Sequence, residues 1–305
     1  MLQMFFLGAI GFFLVRRKVI IPEGLGGLTR LLIEVTMPSL IFCSIIAKFN
    51  FHDYANWWKF PLLSFLIAGL GLGLGFLVTL REKDALVKRE FISLAGFQNS
   101  GYLPLTLVAW IVPKEQLSTM LIYLFLFVIG FDLLIWSWGV HFLSSHKSKS
   151  FSCASLFTPP IIAAGAGFLC VLMKIQTLIP SVIVSPLTML GNCSFPLAIV
   201  VVGASLAVLF VNKKPNTQLI SKLVLVKLIL MPLIGLAVVT YVKLSYLVGL
   251  LLVMELAVPC ATNLAVIVRR YRGEEIIISQ GIFITHIISL ITIPIFLALF
   301  NWIVS

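Results

Sequence analysis

Hydrophobic residues in this chain come in long continuous runs. They show neither the alternation of half-buried strands nor the single stripe of a surface helix. Ten runs stand between charges, at roughly 1–15, 26–47, 60–80, 91–112, 117–142, 159–173, 181–211, 218–242, 246–268 and 276–303. About 20 apolar residues at 1.5 Å each span the ~30 Å hydrocarbon core of a bilayer, so the pattern predicts ten membrane helices. The first run is short, covering only about 22 Å. Either it is a short helix or residues precede Met1.

Composition sharpens this. Of 305 residues, 60% are hydrophobic and 11% charged, and the mean hydropathy is +1.13. Soluble domains carry about 25% charged residues, so a water-soluble fold is excluded. The net charge of +11 does not point to nucleic acid. That partner needs a solvated basic face, and here Lys and Arg stand singly between apolar runs. Cys43, Cys153, Cys170, Cys193 and Cys260 are scattered without a CxxC pair, and read as small packed hydrophobes, not metal ligands. The first run has no basic stretch before it and no small-residue cleavage site after it, so a cleaved leader is not expected.

The basic residues set an orientation. Alternate loops carry Arg16, Arg17 and Lys18; Arg81, Lys83, Lys88 and Arg89; Lys147 and Lys149; Lys213 and Lys214; and Arg269, Arg270 and Arg272. The opposite side has Lys48, Lys59, Lys114, Lys174 and Lys243, a ratio of 14 to 5. By the positive-inside rule the richer loops are cytoplasmic and both termini lie on the non-cytoplasmic side of the inner membrane.

The polar stretch His146–Ser155 divides the runs into two sets of five, giving a first repeat at 1–142, a linker at 143–158 and a second repeat at 159–305. Ile21–Pro22 followed by Pro38 recurs as Ile179–Pro180 followed by Pro196, with the same offset of 158 residues. Five spans per copy is odd, so the second copy inserts upside down. Inverted repeats of this kind place sites near the midplane, where helices are discontinuous.

Two runs carry their own interruptions. The fourth holds Gln98, Asn99, Ser100, Gly101 and Pro104, and the ninth holds Pro259, Thr262 and Asn263 at nearly the repeat offset. Unwound backbone at membrane depth is tolerated only where it is buried in protein or lines a cavity. Half-helix N-termini facing such a cavity suit a carboxylate. The bland alternative is a pair of proline kinks. Charges inside spans, namely Glu34, Asp132, Glu255, Lys222 and Lys227, are expensive and either pair or serve transport. Glu34, Asp132, Lys227 and Glu255 are therefore coupling candidates, beside a structural ion-pair reading. His286 reads as a packed residue more readily than a proton relay. Gly69, Gly71, Gly73 and Gly75 read as close helix packing, since no strand precedes them and no lysine follows. No protease or hydrolase motif stands on a span, and no ATP-binding domain is present, so neither an enzyme nor a primary pump is expected.

Four segments together resemble the auxin efflux carrier family, which includes plant PIN proteins and bacterial permeases of the malonate or malate type. They are Val35-Thr36-Met37-Pro38-Ser39-Leu40-Ile41-Phe42, Asn99-Ser100-Gly101-Tyr102-Leu103-Pro104, Gly191-Asn192-Cys193-Ser194-Phe195-Pro196 with Gly203-Ala204-Ser205-Leu206, and Val258-Pro259-Cys260-Ala261-Thr262-Asn263. The resemblance implies an all-α integral membrane fold of ten transmembrane helices in an inverted five-plus-five arrangement, like bile-acid-symporter and NhaA-like folds. Helices 4 and 9 would be broken and cross at their prolines. It implies a secondary carrier of small organic anions, mono- or dicarboxylates, working by alternating access. Asn99, Gly101, Pro104, Pro259 and Asn263 match the family's site positions, and Ser100 and Thr262 join them as substrate-binding candidates. Val268 and Arg272-Gly273 depart from the small residue and Gly-Gly of many bacterial members. No cofactor is expected; coupling to H⁺ or Na⁺ is open, with a sodium-coupled symporter as one alternative and a non-transporting ligand sensor as a distant one. The expected partners are the carboxylate and the lipid bilayer, with a homodimer as a further candidate.

Overall fold

The computed structural model of the chain describes residues 2–144, 157–210, 216–271 and 276–304. Most of the expected linker at 143–158 lies outside the described residues, as do Lys147, Lys149, Lys213, Lys214, Arg272 and Gly273. The described residues are helical, in the order α1 Leu2–Arg16, α2 Glu23–Lys48, α3 Lys59–Val78, α4 Ala85–Gly96, α5 Tyr102–Ile111, α6 Lys114–Leu143, α7 Pro159–Leu172, α8 Ser181–Leu209, α9 Thr217–Tyr241, α10 Tyr246–Ala257, α11 Asn263–Tyr271 and α12 Ile276–Val304. Among the described residues, six (α2, α3, α6, α8, α9 and α12) are long and apolar enough to cross a membrane. Helices α1, α5, α7 and α10 are shorter and apolar. The protein is thus a multi-pass membrane protein. The apolar runs at 91–112 and 246–268 are each cut into two helices.

Local chemistry sets the helix ends. Pro159 opens α7, where a missing N–H costs nothing. The Asp84 carboxylate caps α4 by accepting from the Leu86 and Val87 amides, and Asn216 caps α9 through the Leu219 amide. Two long helices widen into π turns just before an internal proline, at Leu32–Thr36 ahead of Pro38 and at Leu225–Leu230 ahead of Pro232. A proline ring clashes with the carbonyl four residues earlier, and a wider turn there relieves the clash while keeping the helix continuous.

The chain forms two compact units. The first comprises Met1–Leu63, Leu105–Leu133 and Ser152–Val208. Its helices meet through small residues. A side chain at Gly203 would run into the Gly8 carbonyl of α1, and one at Gly11 into the Val200 backbone of α8. In the same way Gly167 of α7 faces Ile45 of α2, and Gly191 of α8 faces the Leu40 backbone. Between helices in lipid, such close approach of backbones replaces the missing hydrophobic drive. An aromatic cluster closes one part of this unit: Phe49 stacks on Tyr54 at 5.0 Å and meets Phe168 at 4.8 Å, and Phe60 stacks on Tyr123 at 4.3 Å.

The second unit comprises Ser64–Pro104, Leu134–Phe151 and Leu209–Ser305. Here Gly71 and Gly75 of α3 lie against the α4 backbone at Ala95, Gly96 and Ile92, which accounts for two of the four alternating glycines. A side chain at Gly69 or Gly73 would meet nothing within 4 Å, so those two are not packing glycines. Gly281 of α12 faces Leu94 of α4 and Leu223 of α9, and Gly249 of α10 faces Phe300 of α12. These contacts bring α4, α9, α10 and α12 around the two interrupted segments.

Candidate functional site

The chain leaves α4 at Phe97 and α10 at Val258, both in extended conformation. Val258 precedes a proline, which disfavours the helical region and ends α10 there. The extended stretches meet antiparallel, with Gln98 opposite Cys260. The Asn99 amide donates to the Pro259 carbonyl at 2.8 Å, and the Ala261 amide donates to the Phe97 carbonyl at 2.9 Å. Two broken helices therefore satisfy each other's freed main-chain groups, which is what unwound backbone at membrane depth requires. Helices α5 and α11 begin just beyond the crossing, at Tyr102 and Asn263.

Pro104 is not the break itself. It lies in the first turn of α5, where its missing N–H is one the helix would leave unpaired anyway. The break is Phe97–Gly101. A side chain at Gly101 would meet nothing within 4 Å, and Gly101, Thr262 and Asn263 are all part-exposed, so part of the crossing is accessible.

The rest of the crossing is closed. Gln98, Ser100 and Cys260 are fully buried, and Asn99 nearly so. One side chain here was ranked low from sequence: His286 of α12 lies 3.1 Å from Asn99, between its Nε2 and the amide Nδ2. His286 Nδ1 faces the Ile282 carbonyl at 2.8 Å. A carbonyl can only accept, so Nδ1 carries the hydrogen and Nε2 accepts from Asn99. Thr285, one residue earlier, accepts from the Cys260 amide at 3.4 Å and itself donates to the Gly281 carbonyl at 2.7 Å. Helix α12 thus braces both strands of the crossing.

The family model described as Membrane transport protein, that of the auxin efflux carriers, matches residues 1–152 and 146–297. The chain belongs to that family. No curated protein matches it. Its family is one of membrane transporters.

In this transporter the four coupling candidates separate. Glu34 forms an exposed ion pair with Arg30 one turn away, Arg30 Nε to Glu34 Oε1 at 3.4 Å. Asp132 lies in the first unit, where Thr158 is its polar neighbour. Lys227 and Glu255 lie in the second unit, both completely buried, within electrostatic reach of one another. The Lys227 ammonium donates to the Ala95 carbonyl at 3.1 Å, at the C-terminal end of α4. Glu255 stands in the last turn of α10, next to the crossing, and faces Gln98 and Ser100. Lys222 is exposed.

Proposed function

We propose that the protein is a secondary carrier of small organic anions, mono- or dicarboxylates of the malonate or malate kind, working by alternating access in the inner membrane. One observation carries this reading: two half-helices, α5 and α11, start just beyond one hydrogen-bonded crossing, at its part-exposed residues Gly101, Thr262 and Asn263. Each N-terminus contributes about half a positive charge with free N–H groups, so the pair matches roughly one carboxylate. Gly101, Thr262 and Asn263 line the accessible part, and Asn99, oriented by His286, backs it. Ser100, Pro104 and Pro259 shape the main chain around it.

Ten spans follow when the six long helices are joined by α1, α7 and the broken pairs α4–α5 and α10–α11. Contacts within each unit support an inverted repeat. About the Gln98–Cys260 pair, the bond from Asn99 to Pro259 exchanges with that from Ala261 to Phe97, at a common offset of 162 residues. The contact of Gly8 with Gly203 likewise exchanges with that of Gly167 with Ile45. Short helix α1, of 15 residues, has a similarly short counterpart in α7, of 14 residues. The basic loops then lie in the cytoplasm and both termini outside.

The test is uptake of labelled malonate, malate and monocarboxylates into proteoliposomes. Uptake that saturates, competes with unlabelled carboxylate and falls at least tenfold in Asn99→Ala supports the carrier. Unchanged affinity and rate in Asn99→Ala would remove the crossing from the substrate path.

A further inference from the structure

Behind the crossing lies a group of polar atoms that the carboxylate site does not use. Both amide atoms of Gln98, the Ser100 hydroxyl and both carboxylate oxygens of Glu255 are buried without a hydrogen-bond partner. All three residues are completely buried, and Glu255 faces the other two. Polar atoms without full hydrogen bonding are costly in a low-dielectric interior, so this group needs compensation from its surroundings. Three of those side chains present oxygens, the donor set of a small cation.

A cation stands nearby. Lys227 lies within the π turn Leu225–Leu230, and such turns are frequent at functional positions. Its ammonium holds the Ala95 carbonyl and lies within electrostatic reach of both Glu255 and Cys260, the residue opposite Gln98. Its place is favourable twice over. It meets the negative end of the α4 dipole, and it offsets Glu255, whose charge in the last turn of α10 is opposed by that helix's own dipole. The other repeat lacks the acid at this position: five residues before Gln98 stands Ser93, as Glu255 stands five before Cys260.

We propose that Lys227 is a built-in counter-cation of the crossing. Its ammonium supplies the charge that Glu255 requires, and the recess of Glu255, Gln98 and Ser100 takes a monovalent metal ion only when that ammonium is removed. The carrier then needs no Na⁺. That last consequence rests on the carrier reading, while the binding claim does not.

The experiment compares melting curves of the purified full-length protein as NaCl replaces choline chloride at constant ionic strength, without substrate. Wild type is expected to show no Na⁺-specific shift. Lys227→Met, which keeps the apolar stem and removes the charge, is expected to gain a saturable Na⁺-dependent rise in melting temperature, and Lys227→Met with Glu255→Gln to lose it. Should Lys227→Met fold poorly, the double variant, neutral at both positions, is expected to melt at least roughly 5 °C higher than the single one. A saturable Na⁺ shift in wild type overturns the proposal. So does a well-folded Lys227→Met that ignores Na⁺, or a double variant no more stable than a poorly folding single one. Absent carboxylate uptake with the expected Na⁺ pattern would sink the carrier reading and leave this one standing.

Discussion

The Asn99 amide and the Pro259 carbonyl are 2.8 Å apart, and this bond joins two helices at the point where each has stopped being one. Pro259 is what stops α10. Its ring would clash with the carbonyl four residues earlier, that of Glu255, and it holds Val258 extended. Pro259→Ala removes that bar and gives α10 a further turn to grow into, in competition with the crossing. We expect amide hydrogen exchange at Asn99 and Ala261 to speed up at least about tenfold, while the middle of α12 keeps its protection. Unchanged exchange at both amides would mean that the surrounding helices, not the proline, hold the crossing open.

The location of the two interruptions was readable from the polar and proline residues clustered inside runs 91–112 and 246–268, because such residues are expensive at membrane depth. Their internal structure was less readable. Pro104 looks like the breaker in the sequence, yet it sits one turn into α5, and the extended residues before it are fixed by pairing with a segment some 160 residues away. The partnership of Lys227 with Glu255 was out of reach for the same reason. It depends on a π turn and on the end of α4, neither of which leaves a periodic trace. His286 gave only a weak signal, one polar ring in an apolar run, and needed Asn99 beside it to acquire a role. Glu34 was the opposite case: Arg30 stands four residues before it, the spacing of a helix-surface pair, and the tertiary fold added nothing.

That pair makes a sharp contrast with Glu255. Both side chains of the Arg30–Glu34 pair are largely exposed, at 79% and 53%. Exposed i,i+4 pairs contribute about 0.3–0.5 kcal/mol. Glu34→Gln is therefore expected to lower the melting temperature by no more than about 2 °C and to leave carboxylate uptake as in wild type. A loss of uptake with an unchanged melting curve would put Glu34 back among the coupling groups.

The contact between α1 and α8 predicts an asymmetry between two glycines that face each other. A methyl group at Gly203 collides with the Gly8 carbonyl, a backbone atom that cannot rotate away. A methyl group at Gly8 has Ile199 as its nearest neighbour, at 3.8 Å, ordinary contact. Gly203→Ala must push two helices apart and is expected to cost more than the roughly 1–3 kcal/mol of ordinary overpacking. Gly8→Ala gains helix propensity of about 0.5–1 kcal/mol and should be neutral or stabilising. Melting curves of the two variants in the same detergent read the difference, and equal effects would contradict this packing.

Asn99 and His286 offer the most direct test of how the crossing is braced. With Nδ1 committed to the Ile282 carbonyl, the imidazole presents Nε2 as an acceptor, and the Asn99 side-chain amide donates to it with both residues buried. His286→Phe keeps a ring of similar size and removes that acceptor, leaving a buried N–H unpaired at a cost of about 1–3 kcal/mol. Asn99→Ala removes the donor. Once either partner is gone, the second change has less left to remove, so the double variant should be less destabilised than the sum of the two single ones. A coupling of at least about 0.5 kcal/mol in denaturant or thermal unfolding is expected, the range found for contacting residues. Strict additivity would mean that the 3.1 Å contact contributes nothing and that Asn99 is oriented by its main-chain bond to Pro259 alone.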